Sequence, residues 1–181
     1  NLELRRSIHA PLGQTSFTVT DTVTNLTDRD QPHMILYHCN LGWPLVSEHS
    51  VLEVSASATA PNSPEALREP HAALTAPKAG YQERVYLHTL KAGRAEVRLS
   101  NPDQDLDMRM GFDTGSLPGL CQWKMLGERN YVLGLEPTNT LMLGGRAKAR
   151  DQQALKVLAP GESVQYQLTF QLGRHGANGP R

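Results

Sequence analysis

Strict alternation of apolar and polar residues dominates this chain. Residues 15–23, T-S-F-T-V-T-D-T-V, alternate and are rich in Thr and Val, which marks a strand with one buried face. The same period of two recurs over 2–9, over 81–90 (Y-Q-E-R-V-Y-L-H-T-L), over 106–112, over 120–126 (L-C-Q-W-K-M-L) and, most regularly, over 164–172 (V-Q-Y-Q-L-T-F-Q-L). Turn formers punctuate these runs: Pro11-Leu12-Gly13, Lys91–Gly93, Gly127–Asn130 and Pro160-Gly161-Glu162-Ser163. Gly127–Asn130 reads as a hairpin turn, and 95–100 is expected to pair back on 81–90 as a second hairpin. Val51–Thr59 alternates more weakly and is read as one strand. Leu141–Arg146 and Leu155–Leu158 are read as short strands around a basic connection.

Two stretches break the rhythm. Thr24–Pro32 is a polar connection. Ala60–Gly80 carries Pro61, Pro64, Pro70 and Pro77 and is long for a link within a compact domain. A single helical turn fits it at Pro64–Arg68, with Ser63 as cap and Pro64 at the first helical position. No amphipathic helix and no internal repeat is found. Many short strands joined by turns predict an all-β, antiparallel sandwich. Residues 1–173 are expected to form one domain and 174–181 a disordered tail.

One stretch stands apart, Met34–Pro44, reading M-I-L-Y-H-C-N-L-G-W-P. Residues two apart on a strand share a face. His38 and Asn40 therefore point one way, and Tyr37, Cys39 and Leu41 the other. Gly42 and Pro44 end the strand around Trp43. An imidazole and an amide at the end of an apolar strand suit a small-ligand site; a hydrogen-bonded core histidine before a turn would give the same letters.

Composition narrows the function classes. The formal net charge is zero, so nothing points to nucleic acid or to an anionic membrane surface. No apolar run approaches a membrane span, and the first residues lack a signal-peptide layout. Cys39 and Cys121 have no metal-ligand spacing; two reduced, buried thiols in a cytoplasmic protein are the simplest reading. No metal and no cofactor is expected, because no H-x-x-x-H, C-x-x-C or phosphate-binding loop occurs.

Four further positions carry candidate chemistry. Glu136, in G-L-E-P-T-N, has small same-face neighbours, Gly134 and Thr138. A partly desolvated carboxylate there would have a raised pKa, as a general base needs; a hydrogen-bonded glutamate at a strand end is the alternative. Glu83 and His88 form a second polar group, on opposite faces of a regular strand. Trp123 and Lys124 offer an aromatic platform and a cation, a pairing that suits the apolar faces and hydroxyl rim of a sugar, or else a core Trp and a solvated Lys.

Six segments in order, 21–26 (D-T-V-T-N-L), 34–45, 80–88, 117–125 (L-P-G-L-C-Q-W-K-M), 131–139 and 160–162, together resemble the aldose 1-epimerase-like proteins of the galactose mutarotase superfamily. The resemblance implies a β-supersandwich. It also implies a small-molecule carbohydrate ligand, His38 as general acid and Glu136 as general base in anomer interconversion. Asn40, Glu83, His88, Trp123 and Lys124 would then contact the sugar. Family members are longer, so the chain is expected to correspond to the C-terminal part, and to self-associate or to contact a missing N-terminal segment. A non-catalytic carbohydrate-binding module, or a truncated fragment, is the alternative.

Overall fold

The structure is a computed structural model, and it describes residues 1–141 and 144–176. Thirteen strands run through these residues. The first hairpin is β1 (Leu2–His9) with β2 (Ser16–Asn25), followed by the short β3 (Gln31–His33) and β4 (Cys39–Leu41). Next come β5 (Val51–Val54), β6 (Ala56–Pro61), β7 (Arg84–Leu90), β8 (Arg94–Asn101) and β9 (Leu106–Asp113). The chain continues through β10 (Gly119–Leu126), β11 (Tyr131–Thr138), one helix α1 (Gly145–Asp151), β12 (Lys156–Leu158) and β13 (Ser163–Gly173).

The strands form two antiparallel layers. One sheet has six strands in the order β1-β2-β13-β9-β8-β5, the other five in the order β4-β11-β10-β7-β6, and β3 with β12 makes a small third ribbon. Alternation seats the core between the layers. Val97, Leu99, Met108, Met110, Phe112 and Leu168 project from one sheet, and Leu90, Leu120, Leu126, Leu133 and Leu135 from the other, all buried. Each such side chain contributes roughly 1.5–3 kcal/mol of transfer free energy. The residues between them face out: Arg98 lies between Glu53 at 2.9 Å and Asp107 at 2.5 Å in a charged ladder on the outside of the six-stranded sheet.

Several expectations change. The stretch read as one strand over Val51–Thr59 is two, β5 and β6, and they belong to different sheets. β7 and β8 do not form a hairpin: Lys91–Gly93 crosses from one layer to the other, and β8 pairs instead with β5 and β9. The two crossings lie side by side, since Lys91 N–H donates to Ser55 O at 3.3 Å and Ser55 N–H to Glu96 O at 3.4 Å. A link of this length is compatible with either outcome; the apolar side chains of β8 decide, because they complete the core from the six-stranded side. In place of a strand at Leu141–Arg146 the chain forms α1 from Gly145; Met142 and Leu143 lie outside the described residues, as do residues 177–181 of the expected tail. The helical turn near Pro64 is a 3₁₀ turn over Ala66–Arg68, with Ser63 Oγ accepting from the Ala66 N–H at 3.3 Å. Among the described residues no helix is long and apolar enough to cross a membrane.

The segment around β4 is pinned from three sides. Tyr37 points inward, its hydroxyl donating to Asp21 Oδ2 at 2.8 Å, while Arg6 holds both Asp21 oxygens at 2.7 Å. The Arg6 guanidinium keeps the buried Asp21 carboxyl below the usual carboxylate range. The Tyr37 N–H donates to Pro137 O at 2.9 Å, and the Ile35 N–H to Asn139 Oδ1 at 3.0 Å. With Tyr37 fixed inward, its neighbour His38 is turned out.

Candidate active site

The outward face of the five-stranded sheet carries the candidate site, and strand register explains its make-up. β11 pairs with β4 at Leu135↔Cys39 and Gly134↔Asn40, and the bridge Leu36↔Thr138 continues the same register. His38 is therefore set opposite Glu136. On the other side β11 pairs with β10, with Cys121 opposite Glu136 and Trp123 opposite Gly134. Directly opposed residues share a face. Register alone thus collects Asn40, Cys121, Trp123, Gly134 and Glu136 on one surface, away from the core.

His38 Nε2 lies 3.0 Å from Glu136 Oε1, with the imidazole 53% exposed and the carboxyl side chain only 6% exposed. The approach lacks the alignment of a hydrogen bond, so the buried Oε1 has no aligned donor among the described residues. Burial pushes the Glu136 carboxyl above its ordinary value; the His38 charge and the Cys121 thiol pull the other way without cancelling it. Burial likewise raises the Cys121 thiol, to about 12. Gly134 makes this geometry possible. A Cβ there would stand 2.7 Å from Glu136 Oε1 and 3.3 Å from Trp123 Cβ, so the carboxyl group folds back over a position that must have no side chain.

The imidazole has two further supports. Its Nδ1 sits 2.8 Å from Asn40 Oδ1. Its ring meets Trp123 edge-on, with centroids 6.0 Å apart. Trp123 Nε1–H in turn donates to Glu83 Oε2 at 2.8 Å. Glu83, Trp123, His38, Asn40 and Glu136 thus form one connected group. Trp43 is mostly exposed. Beyond Trp123, Met125 on the same strand face borders a hollow of about 370 Å³ that Lys78 and Arg129 also line.

His88 and Lys124 lie elsewhere, and the expectation that they contact a ligand beside Trp123 is corrected. Both fall on the opposite, inward face and are fully buried. Lys124 Nζ spends its donors within the protein, on Glu69 Oε1 at 2.6 Å, Ala73 O at 2.8 Å and Pro70 O at 3.0 Å. Burial lowers the Lys124 ammonium below its usual value despite Glu69. Burial would raise the Glu69 carboxyl, but Lys124, Tyr81 and Arg84 together outweigh it and hold the group low. His88 bonds Thr59 Oγ1 at 2.8 Å and Gln122 Oε1 at 2.9 Å, and burial drops it to about 4. Lys124 thereby ties the long 62–80 connection to the sheet.

Sequence reasoning misses Cys121 and Glu69. Cys121 is accessible by parity, two positions before Trp123. Glu69 carries no signal, because its partner is 55 residues away. Among the described residues no group of three or more His, Cys, Asp or Glu side chains is arranged to hold a metal.

Comparison with known proteins bears on the fold and the family. Among curated proteins none matches the sequence. A solved structure from Klebsiella pneumoniae, described as a "putative aldose 1-epimerase", is 27% identical, with a TM-score of 0.88 over 97% of this chain and 47% of its own. This chain thus spans about half the length of that protein. A galactose mutarotase related enzyme from Lactobacillus acidophilus is 15% identical, with a TM-score of 0.65, covering 98% of this chain and 62% of its own. A galactose mutarotase-like protein from Lactobacillus casei is 16% identical, with a TM-score of 0.63, covering 94% and 63%. The last two likenesses concern the fold alone, which is the β-supersandwich of the galactose mutarotase type. The family described as "Domain of unknown function (DUF4432)" matches residues 1–172, and the chain belongs to it.

Proposed function

We propose that this chain carries the acid–base pair of an aldose 1-epimerase-like reaction, the interconversion of sugar anomers. The observation that supports it best is the buried Glu136 Oε1, raised in basicity by burial, facing an exposed imidazole and lacking an aligned donor. A sugar hydroxyl would supply that donor. Trp123 offers the apolar floor on which pyranose C–H groups pack.

Glu136 takes the proton from the anomeric hydroxyl as the C1 oxygen becomes a carbonyl. The bond from C1 to the ring oxygen breaks, and His38, as imidazolium, delivers its Nε2 proton to that oxygen. Rotation about C1–C2 in the open chain presents the other face of the aldehyde, and the two transfers run in reverse. Two groups of unlike basicity on one side of the ring meet this need. No cofactor enters these steps. Lys124 and His88, facing the core, take no part.

Polarimetry of freshly dissolved α-D-galactose or α-D-glucose tests the reading. The protein should hasten equilibration, and Glu136→Gln should lose about 10²–10⁴ of that acceleration. Equal rates with and without the wild-type protein contradict catalysis. Binding without acceleration would make the chain a carbohydrate-binding module instead.

A further inference from the structure

We propose that Asn40 is a positioning residue that fixes the tautomer of His38, and so makes Nε2 the one ring nitrogen that exchanges a proton with substrate. This rests on the acid–base reading of His38 and Glu136. Asn40 Oδ1 is an acceptor only, and it lies 2.8 Å from His38 Nδ1. To make that hydrogen bond Nδ1 must carry a hydrogen, whether the ring is neutral or charged. The remaining nitrogen, Nε2, is the one 3.0 Å from Glu136 Oε1.

The consequence is that Nε2 offers both states the reaction needs, Nε2–H in the imidazolium opposite the Glu136 carboxylate and a bare Nε2 opposite the carboxylic acid. Those are the start and end states of the transfer: Glu136 gains a proton from the substrate as His38 gives one. With the other tautomer, a neutral ring would present Nε2–H towards Glu136 and could not take the proton back on the return path.

The backbone explains why position 40 can do this. Asn40 pairs with Gly134, while His38 two residues earlier faces Glu136 two residues later on the antiparallel strand. Both side chains stand on the outer face, and the missing Cβ at Gly134 leaves room for Glu136 Oε1 beside them. The charged and titratable groups facing the ring come from every neighbouring strand. Glu136 belongs to β11 and is in contact; Cys121 of β10 lies beyond it; Glu83, before β7, acts through the Trp123 indole. Asn40 is uncharged, so it orients the ring without adding a third carboxylate beside it.

The ¹⁵N shifts of the His38 ring nitrogens across a pH titration, in protein labelled at histidine, test the proposal. The wild type should show the Nδ1–H tautomer when neutral, with Nε2 the nitrogen that titrates. Asn40→Ala should shift the neutral ring towards Nε2–H, and Asn40→Asp, which retains an acceptor oxygen, should restore Nδ1–H. In polarimetry Asn40→Ala should lose roughly tenfold or more in kcat with KM within about twofold. Asn40 is exposed, so amide spectra of the variants should otherwise match the wild type. A neutral wild-type ring protonated on Nε2, or ring shifts unmoved by Asn40→Ala, overturns the proposal. A variant that raises KM at constant kcat also does so, by making Asn40 a sugar contact. The ring shifts need no sugar: a wild type that fails in polarimetry but shows the expected tautomer refutes the epimerase reading, not the orienting role.

Discussion

The two faces of the five-stranded sheet carry similar residues with opposite fates. On the outer face His38 and Glu136 touch at 3.0 Å while a buried carboxylate oxygen lacks an aligned donor. On the inner face Lys124 and Glu69 touch at 2.6 Å, and the ammonium also reaches two backbone carbonyls. Each sets a basic side chain against a carboxyl group with one member deeply buried, and the first is an ion pair only when His38 is protonated. The first sets a carboxyl oxygen without an aligned donor beside a half-exposed imidazole, whereas the Lys124 ammonium is fully buried with three acceptors. Completeness of partners, rather than burial or charge, separates a group that holds the fold from one that can act on a ligand.

Breaking the inner pair should have the largest effect on folding. Lys124→Ala leaves Glu69 with only Tyr81 and Arg84 and two carbonyls without their donor, and should cost about 3 kcal/mol in urea unfolding, with sugar equilibration per folded molecule unchanged. A neutral result would mean that the 62–80 connection is held by other contacts. Next comes the glycine beneath the outer pair. Gly134→Ala places a methyl group 2.7 Å from Glu136 Oε1. It should cost about 1–3 kcal/mol by overpacking and should slow equilibration by turning the carboxyl away from His38.

Acid titration separates the faces by sign. The folded pKa of Glu69 lies below its ordinary value, so its contribution is present above that value and is lost as pH falls through the folded pKa. Glu136 is raised, so its contribution is present below the ordinary value and is lost as pH rises through the folded pKa. Urea midpoints from about pH 7 down to 3 should therefore fall less steeply for Glu69→Gln than for the wild type, and more steeply for Glu136→Gln. Parallel curves for both variants would erase the distinction. The smallest effect belongs to Glu83→Gln. The exposed acceptor should change stability by no more than about 0.5 kcal/mol, while the Trp123 indole resonance moves.

Much of this is legible in the chain, and the losses have physical causes. Period-two alternation locates the long strands, and the His-x-Asn spacing places His38 and Asn40 on one side. Parity carries more than that. Trp123 and Lys124 are adjacent on a strand, so they cannot share a face, and alternation by itself excludes a platform built from both. Which strands belong to which sheet is not legible. β7 and β8 are joined by a link short enough for a hairpin, yet β7 pairs with β6 and β10 in one layer and β8 with β5 and β9 in the other. The partnership of His38 with Glu136 across β4 and β11 depends on register, which alternation leaves open by steps of two. The role of Asn40 is hidden for a related reason: the sequence shows an amide beside an imidazole, but only the 2.8 Å contact shows which ring nitrogen the amide serves.

The central claim is that the outer face of the five-stranded sheet is the sugar face. A crystal structure of the protein with D-galactose tests it most directly. The account predicts a pyranose lying against Trp123, with ring oxygen and anomeric hydroxyl within hydrogen-bonding distance of His38 Nε2 and Glu136 Oε1. A sugar bound instead in the larger hollow of about 860 Å³ on the outside of the six-stranded sheet, among Arg94, Arg109 and Thr169, with His38 and Glu136 still in mutual contact, would contradict it.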